Sequence, residues 1–309
     1  MRRQYLLIAI ALSCLSGPAT AGTIYGVKSL APGGAELSVP PAVLFSFFDT
    51  GSPSLAAIGA VTRDNAQIDV DGLALSRTHG LLGFQMTGNN AAPASILVSI
   101  NTASAVATAV GSTLTGRALR GAMFDRGDRL WAVDAAADTL LRIDPTTGAV
   151  LSETGITVGG LPRDIDVVTD LAQRSDGSVI LTTYRAEATG FDGPTFYTLD
   201  LDTGVATLAF VDSAPDPFMP SIPIANSGIA AGDDAAPNLL FTLDGDNTDD
   251  LFQYALPTYT RTLYVADVYL GFNAGGGDLA SLAPLDAPEP MTLTLLGVGL
   301  VGLAAARRR

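Results

Sequence analysis

The sequence predicts an all-β protein, because its apolar residues come in short runs separated by turn residues. Of the 309 residues, 48% are hydrophobic and 16% are charged, which is enough apolar material for a large core. Gly, Pro, Asp and Thr interrupt the apolar runs at short intervals, as in strands joined by tight turns. One type of segment recurs along the chain, so the strands are predicted to form repeats.

The clearest repeat lies in the middle of the chain. Leu130 to Asp134 and Leu140 to Asp144 are predicted strands, and a further strand begins at Ala149. The intervening Asp-Pro-Thr-Thr-Gly forms a tight turn, because Pro presets φ and Gly supplies a positive φ. Similar strand-and-turn segments occur at Leu44–Gly51, Leu97–Val106, Phe196–Val205 and, without the Gly turn, Leu251–Leu256.

The spacing of these segments predicts a β-propeller of five four-stranded blades. Counted from their third strands at Val43, Ser95, Thr139, Thr195 and Asp250, the repeats are 52, 44, 56 and 55 residues apart. Each repeat has an upstream strand pair, except the first, which has only Ile24–Lys28. We expect Asp278–Leu282 to supply the missing strand, so that both chain ends close a ring from Gly22 to about Leu285. A six- or seven-bladed ring, a β-sandwich and a β-helix are the alternatives.

The turn at Leu140–Gly148 resembles the "Leu-Tyr-x-Ile-Asp-x-x-Thr-Gly" turn found in the blades of a broad group of secreted propellers. The resemblance extends over the whole repeat region. It implies the fold, but many functions share this turn.

The first 21 residues have the three parts of a secretory signal peptide. A basic start at Arg2 and Arg3 precedes an apolar stretch, and Ala19-Thr20-Ala21 forms a cleavage site for signal peptidase ahead of Gly22. The alternative is a lipoprotein signal at Cys14, the only cysteine. In either case the exported domain has no disulfide or zinc thiolate site.

The last 22 residues, 288–309, form a second targeting segment. Pro288-Glu289-Pro290 precedes 16 uncharged residues, slightly fewer than the roughly 20 that span a bilayer as a helix. Arg307, Arg308 and Arg309 would stay on the cytoplasmic side. An ordinary C-terminal membrane anchor is one interpretation of these features.

This tail resembles the PEP-CTERM sorting signal of Gram-negative bacteria, with all three parts in order at the C-terminus. The resemblance implies that the tail holds the protein transiently at the inner membrane, where an exosortase-type enzyme recognises it and cuts near the Pro-Glu-Pro tripeptide. It also implies a final location at the cell surface or in the extracellular matrix, and a host that makes an extracellular polysaccharide. The domain between the two targeting segments covers residues 22–287.

The charge distribution restricts the partners of that domain. Of the 17 basic residues, five lie at the chain ends, so the 12 that remain face 31 acidic residues and the interior net charge is near −19. Such a surface repels nucleic acids and anionic lipids. The charge permits cations, metal ions and neutral sugars as partners. The alternative is that the negative charge only keeps the exported domain soluble.

No catalytic cluster is recognisable, and no cofactor other than calcium is suggested. His79 is the only histidine and is predicted in a solvated turn. Aspartate supplies 27 of the acidic residues, most densely at 244–250. Asp244, Asp246 and Asp250 are candidate calcium ligands, although the run lacks the Gly and Glu of an EF-hand and is also compatible with an acidic turn. Further aspartates are expected near the channel mouth, namely Asp64, Asp69, Asp71, Asp164, Asp166 and Asp170.

Two functional hypotheses follow. The first is a surface or matrix protein whose propeller is a binding or structural module for polysaccharide or protein. The second is a secreted calcium-dependent hydrolase, similar to propeller lactonases or phytases. Three or more carboxylates gathered at the central channel would favour the enzyme.

Overall fold

The computed structural model describes residues 22–28, 42–51, 54–88, 92–162, 169–187, 190–214, 226–233, 236–244, 250–265 and 277–282. The predicted signal peptide and sorting tail lie outside these ranges. The described residues form 24 strands and no helix. The described residues contain no helix that is long and apolar enough to cross a membrane.

In chain order the strands are β1 (Thr23–Lys28), β2 (Val43–Phe48), β3 (Ala56–Ala60), β4 (Thr62–Arg63), β5 (Ala66–Gln67), β6 (Asp71–Ser76), β7 (Gly80–Met86), β8 (Ala94–Ile100), β9 (Ala107–Thr115), β10 (Leu119–Phe124), β11 (Leu130–Asp134), β12 (Thr139–Ile143), β13 (Val150–Gly155), β14 (Thr157–Val158), β15 (Leu161–Pro162), β16 (Thr169–Gln173), β17 (Val179–Glu187), β18 (Gly190–Leu199), β19 (Val205–Val211), β20 (Asn226–Ala231), β21 (Leu239–Asp244), β22 (Leu251–Ala255), β23 (Thr260–Val265) and β24 (Gly277–Ala280).

These strands form the predicted five-bladed propeller. From the axis outwards, the described strands give blade 1 as β24-β1-β2-β3, blade 2 as β6 to β9, blade 3 as β10 to β13, blade 4 as β16 to β19 and blade 5 as β20 to β23. The five innermost strands contact one another in a closed ring. Fold class, blade number and ring closure are therefore confirmed.

The closing strand is shorter than the sequence predicts. β24 pairs antiparallel with β1 over Tyr25–Lys28 and ends at Ala280 rather than Leu282. Leu282 instead makes an isolated parallel bridge to Leu75 of β6. The end of β24 thus leaves its own sheet and contacts blade 2, which helps to close the ring.

The core consists of apolar layers between adjacent blades. In the described part of the chain, five clusters of buried residues lie one at each of the five junctions. Phe47 of blade 1 packs edge-on against Phe241 of blade 5, with ring centroids 5.5 Å apart. Phe196 of blade 4 meets Tyr254 of blade 5 at 5.1 Å. Since the inner part of each blade is covered on both faces, inner strands such as β11 can be apolar on both sides, whereas the outermost strand β13 is mostly exposed.

The Asp-x-x-Thr-Gly turn occurs in blades 3 and 4, and in both it contacts the preceding blade. The Asp144 carboxylate accepts hydrogen bonds from its own turn, including the Thr146 amide at 2.8 Å. Gly148 has φ +69°, and a Cβ there would lie 2.6 Å from the Val110 carbonyl oxygen of blade 2. Gly204 lies in the same way against the Gly155 carbonyl oxygen of blade 3, at 2.3 Å. Glycine is therefore needed both for the turn and for the close contact between blades.

Two additions to the blades were not predicted. β4 and β5 form a short hairpin after blade 1. β14 and β15 extend blade 4 to six strands, because β14 pairs in parallel with the start of β19 and antiparallel with β15.

Candidate functional site: the axial carboxyl pair

Five backbone amides, one from each blade, point into the propeller axis and donate to only two side chains. Asp170 of blade 4 accepts from Ala122 N at 3.2 Å, from Leu171 N at 2.7 Å and from Ile229 N at 2.7 Å. Asp278 of blade 1 accepts from Leu279 N at 2.7 Å and from Leu73 N at 2.5 Å. Each innermost strand has a sheet neighbour on one side only, so its axial amides need such acceptors.

The local sequence explains the positions of these two aspartates. The five amides belong to equivalent residues of the innermost strands. The residues that precede them in ring order are Asp278, Gly72, Gly121, Asp170 and Gly228. The glycines leave space: a Cβ at Gly228 would lie 2.7 Å from the Asp278 Cα. Two carboxyl groups and three glycines therefore fill one level of the axis without a steric clash.

Burial controls the protonation of the pair. Both side chains are at most 1% exposed, and their carboxyl groups hydrogen-bond to each other. Burial raises the pKa of Asp170 to about 7, although its amide donors act in the opposite direction. Burial, followed by the charge of Asp170, raises the pKa of Asp278 well above its usual range. The physical consequence is one proton shared between two carboxyl groups near neutral pH.

A small cavity lies beside the carboxyl pair, towards the ends of the innermost strands. Its lining includes Met123, Gln173 and Ser281, and it also includes four of the five residues whose amides bind the pair. Its volume is about 10 Å³, which is about the space needed by one water molecule.

The axial carboxyl pair connects the blades through hydrogen bonds. Asp170 links blade 4 to blades 3 and 5, Asp278 links blade 1 to blade 2, and their mutual hydrogen bond joins blade 4 to blade 1. A calcium ion needs six to eight oxygen ligands. Within the described ranges, no three acidic, His or Cys side chains gather where they would hold a metal. The oxygens of the axial pair already accept from amides.

The sequence-predicted calcium ligands are only partly described. Asp250 is buried immediately before β22, and Asp244 ends β21. The Asp244 side chain and all of Asp246 lie outside the description, so this site stays a prediction. Asp164 and Asp166 also lie outside it.

Of the predicted channel aspartates, only Asp170 is part of the axial pair. Asp69 is buried, and Asp71 forms an ion pair with Arg120 at 3.3 Å. Asp64 is 90% exposed. Asp278, the partner of Asp170, was predicted as part of a strand but not as a site residue. The signal that identifies it is the Asp or Gly shared by all five innermost strands.

His79 differs from the solvated residue that the sequence predicts. Its ring stacks on Phe124 of blade 3 with centroids 5.8 Å apart, and its Nε2 lies 3.8 Å from Asp128. The residue therefore contributes to the junction between blades 2 and 3.

The predicted processing residues are described only at Gly22. Its amide nitrogen donates to Asp49 at 2.8 Å. Ala19, Ala21, Pro288, Glu289, Pro290 and the three terminal arginines lie outside the described residues.

Comparison with protein families identifies the tail. Residues 286–309 match the PEP-CTERM protein-sorting motif. The chain carries a PEP-CTERM sorting signal. The signal implies that this protein is exported, sorted at the membrane and processed by an exosortase-type enzyme. The comparison with curated proteins finds no match.

Solved structures with a similar arrangement have diverse descriptions. A glutaminyl cyclase from Myxococcus xanthus is 15% identical, with a TM-score of 0.44, over 73% of this chain and 84% of that one. A chain of a nidogen/laminin complex is 12% identical, with a TM-score of 0.44, over 83% and 98%. A gluconolactonase from Xanthomonas campestris is 14% identical, with a TM-score of 0.42, over 64% and 61%. At such low similarity, the functions named there apply to those proteins alone.

Proposed function

We propose that this PEP-CTERM protein is a cell-surface or extracellular-matrix module whose acidic propeller binds extracellular polysaccharide or another protein. Signal peptidase removes residues 1–21, and the tail holds the chain transiently at the inner membrane. The exosortase-type enzyme then cuts near Pro288-Glu289-Pro290 and delivers a closed ring.

The observation that carries this proposal is the order of the C-terminal segments. The ring-closing strand ends at Ala280, and the match to the sorting motif begins at residue 286. A cut near Pro288 therefore removes the tail and keeps all five blades. The axial carboxyl pair supports a structural role at the centre of the ring, because backbone amides already donate to both of its carboxyl groups.

The six-stranded blade 4 offers the first surface to test for binding. Leu161 on β15 is 71% exposed, and Leu208 on β19 is 55% exposed. Exposed apolar side chains within one sheet are a feature of interaction surfaces. The overall negative charge favours neutral sugars or a basic protein face over nucleic acid.

Sorting is tested by fractionating host cells that produce the full chain or the Glu289→Ala variant. We expect the unaltered protein at the surface or in the medium without its tail, and the variant retained at the inner membrane with the tail attached. Equal delivery of both forms would contradict the proposed processing. Glu187→Ala is the matched control, because it removes the same charge outside the motif.

Binding is tested separately by co-sedimentation of the processed protein with the matrix polysaccharide of the host and by capture of surface proteins. Leu208→Asp and Leu161→Asp are expected to reduce retention if blade 4 forms the contact. Retention no greater than that of an unrelated acidic protein would contradict the binding function.

A further inference from the structure

The junction between blades 5 and 1 contains an unusual arrangement around Gly22. The Asp49 carboxylate follows β2, is 2% exposed and accepts from the Gly22 amide at 2.8 Å. It also accepts from the Asp233 amide, which follows β20, at 2.9 Å. The Asp49 amide in turn donates to the Gly22 carbonyl oxygen at 3.1 Å. Both ends of residue 22 are thus held by one aspartate.

A second carboxylate approaches the same residue. A Cβ on Gly22 would lie 2.7 Å from Asp233 Oδ2 and 2.9 Å from Asp49 Oδ2. Only glycine permits two carboxylates to come this close to the backbone. They converge at the residue that the Ala19-Thr20-Ala21 pattern makes the first of the mature chain.

We propose that Asp49 and Asp233 form a binding site for the α-ammonium group of the mature N-terminus, which signal peptidase creates at Gly22. This inference rests on the export proposed above. Cleavage hydrolyses the Ala21–Gly22 peptide bond: the oxygen of water goes to the new Ala21 carboxylate, and the Gly22 nitrogen leaves as an amine that takes up a proton. One neutral amide donor becomes a cation with three N–H donors.

The charge balance of the site changes with this step. Before cleavage, burial and the neighbouring Asp233 side chain raise the pKa of Asp49, and the group at the Gly22 nitrogen is a neutral amide. After cleavage, the ammonium lies between the two carboxylates and forms charge-assisted hydrogen bonds. Among the described residues, the further titratable group near the site is Tyr264, whose hydroxyl donates to the Phe48 carbonyl oxygen.

The functional consequence is that processing strengthens the ring at the junction where the two ends of the chain close it. Blade 1 contains both β1, which begins at Thr23, and β24. Asp49 belongs to blade 1 and Asp233 to blade 5, so the ammonium links the two blades. The ring of the precursor is therefore expected to be less stable to unfolding than the ring of the mature protein.

The test compares two purified chains that differ by one residue. One runs from Gly22 to Arg309 and is released by a site-specific protease that leaves a free Gly22. The other retains Ala21. At pH 7 we expect the Gly22 chain to melt about 2–4 °C higher, the shift that about 1 kcal/mol produces in a domain of this size.

The difference in melting temperature between the two chains should depend on pH in a defined direction. An ion pair raises the pKa of the folded ammonium above its unfolded value of about 7.7–8.0, so the extra stability is complete below that value. It is lost as pH rises through the folded pKa, and the two chains should melt together at about pH 10.

Asp49→Asn and Asp233→Asn should each remove the difference between the two chains, whereas Asp202→Asn, an exposed control with the same charge change, should keep it. Acetylation of the Gly22 amine tests the site without any substitution and should lower the melting temperature to that of the Ala21 chain. Equal melting temperatures at pH 7 would overturn the proposed site. Mass spectrometry of exported protein that begins elsewhere than Gly22 would overturn its link to processing, while sorting by the tail would be unaffected.

Discussion

Aspartates at the axis and aspartates at the outer turns have the same task in this propeller but opposite protonation behaviour. Asp144 and Asp200 accept from the amides of their own exposed turns, and these hydrogen bonds lower the pKa of both groups. Asp170 and Asp278 also accept amides, yet burial raises the pKa of both. The difference shows that the environment, and not the hydrogen-bond pattern, decides whether a carboxyl group keeps its proton.

The comparison also separates two ways of joining blades. The outer turns join neighbouring blades one pair at a time. The axial pair connects all five blades at a single level, so loss of one side chain affects several junctions at once.

The largest effect is expected from Asp170→Ala. It leaves three buried amides, those of Ala122, Leu171 and Ile229, without their acceptor, at a cost of about 3–6 kcal/mol in the free energy of unfolding. Asp278→Ala affects two amides and should cost about 2–4 kcal/mol. Urea unfolding measures both. A smaller loss for Asp170→Ala than for Asp278→Ala would show that the amide count does not govern the stability of the axis.

The next effect is a fall in stability between about pH 4 and 7. The folded pair keeps a proton that the unfolded chain releases above about pH 3.9, so the free energy of unfolding decreases as pH rises towards the folded pKa of about 7. Asp49 contributes in the same direction. Urea unfolding at several pH values should give a flatter slope for Asp278→Asn, because that variant needs no shared proton. The same slope in both proteins would rule out the axial pair as its source.

The smallest effect is the difference between two glycine variants, which separates close packing from backbone strain. Gly148→Ala forces a Cβ against blade 2 at positive φ and should cost about 2–4 kcal/mol. Gly116 has φ +76°, and a Cβ there would meet no atom within 4 Å, so Gly116→Ala should show only the strain of about 1–2 kcal/mol. Thermal melting of the two variants decides this. Equal losses would mean that contact between blades does not require Gly148.

The blades could be predicted from the sequence because the patterns that indicate them are local. The Asp-x-x-Thr-Gly turn and the regular spacing of strands predicted every blade, and the lone strand of the first repeat predicted that β24 closes the ring. The axial pair was accessible only in part. Asp170 was expected near the channel, but its contact with Asp278 arises when the ring brings distant strands together, and no local pattern shows that.

The β14–β15 extension was missed for a related reason. Its strands are two residues long, and they form because the end of blade 3 meets β19 of blade 4. The axial cavity likewise depends on how four innermost strands converge, which sequence spacing does not determine.

Carboxyl NMR titration of Asp170 and Asp278 tests the central claim most directly. The claim predicts that one proton remains on the pair at pH 6, that both carboxyl signals respond to its loss near or above pH 7, and that Asp144 titrates below its usual pKa. Two fully ionised axial carboxylates at pH 5 would contradict it.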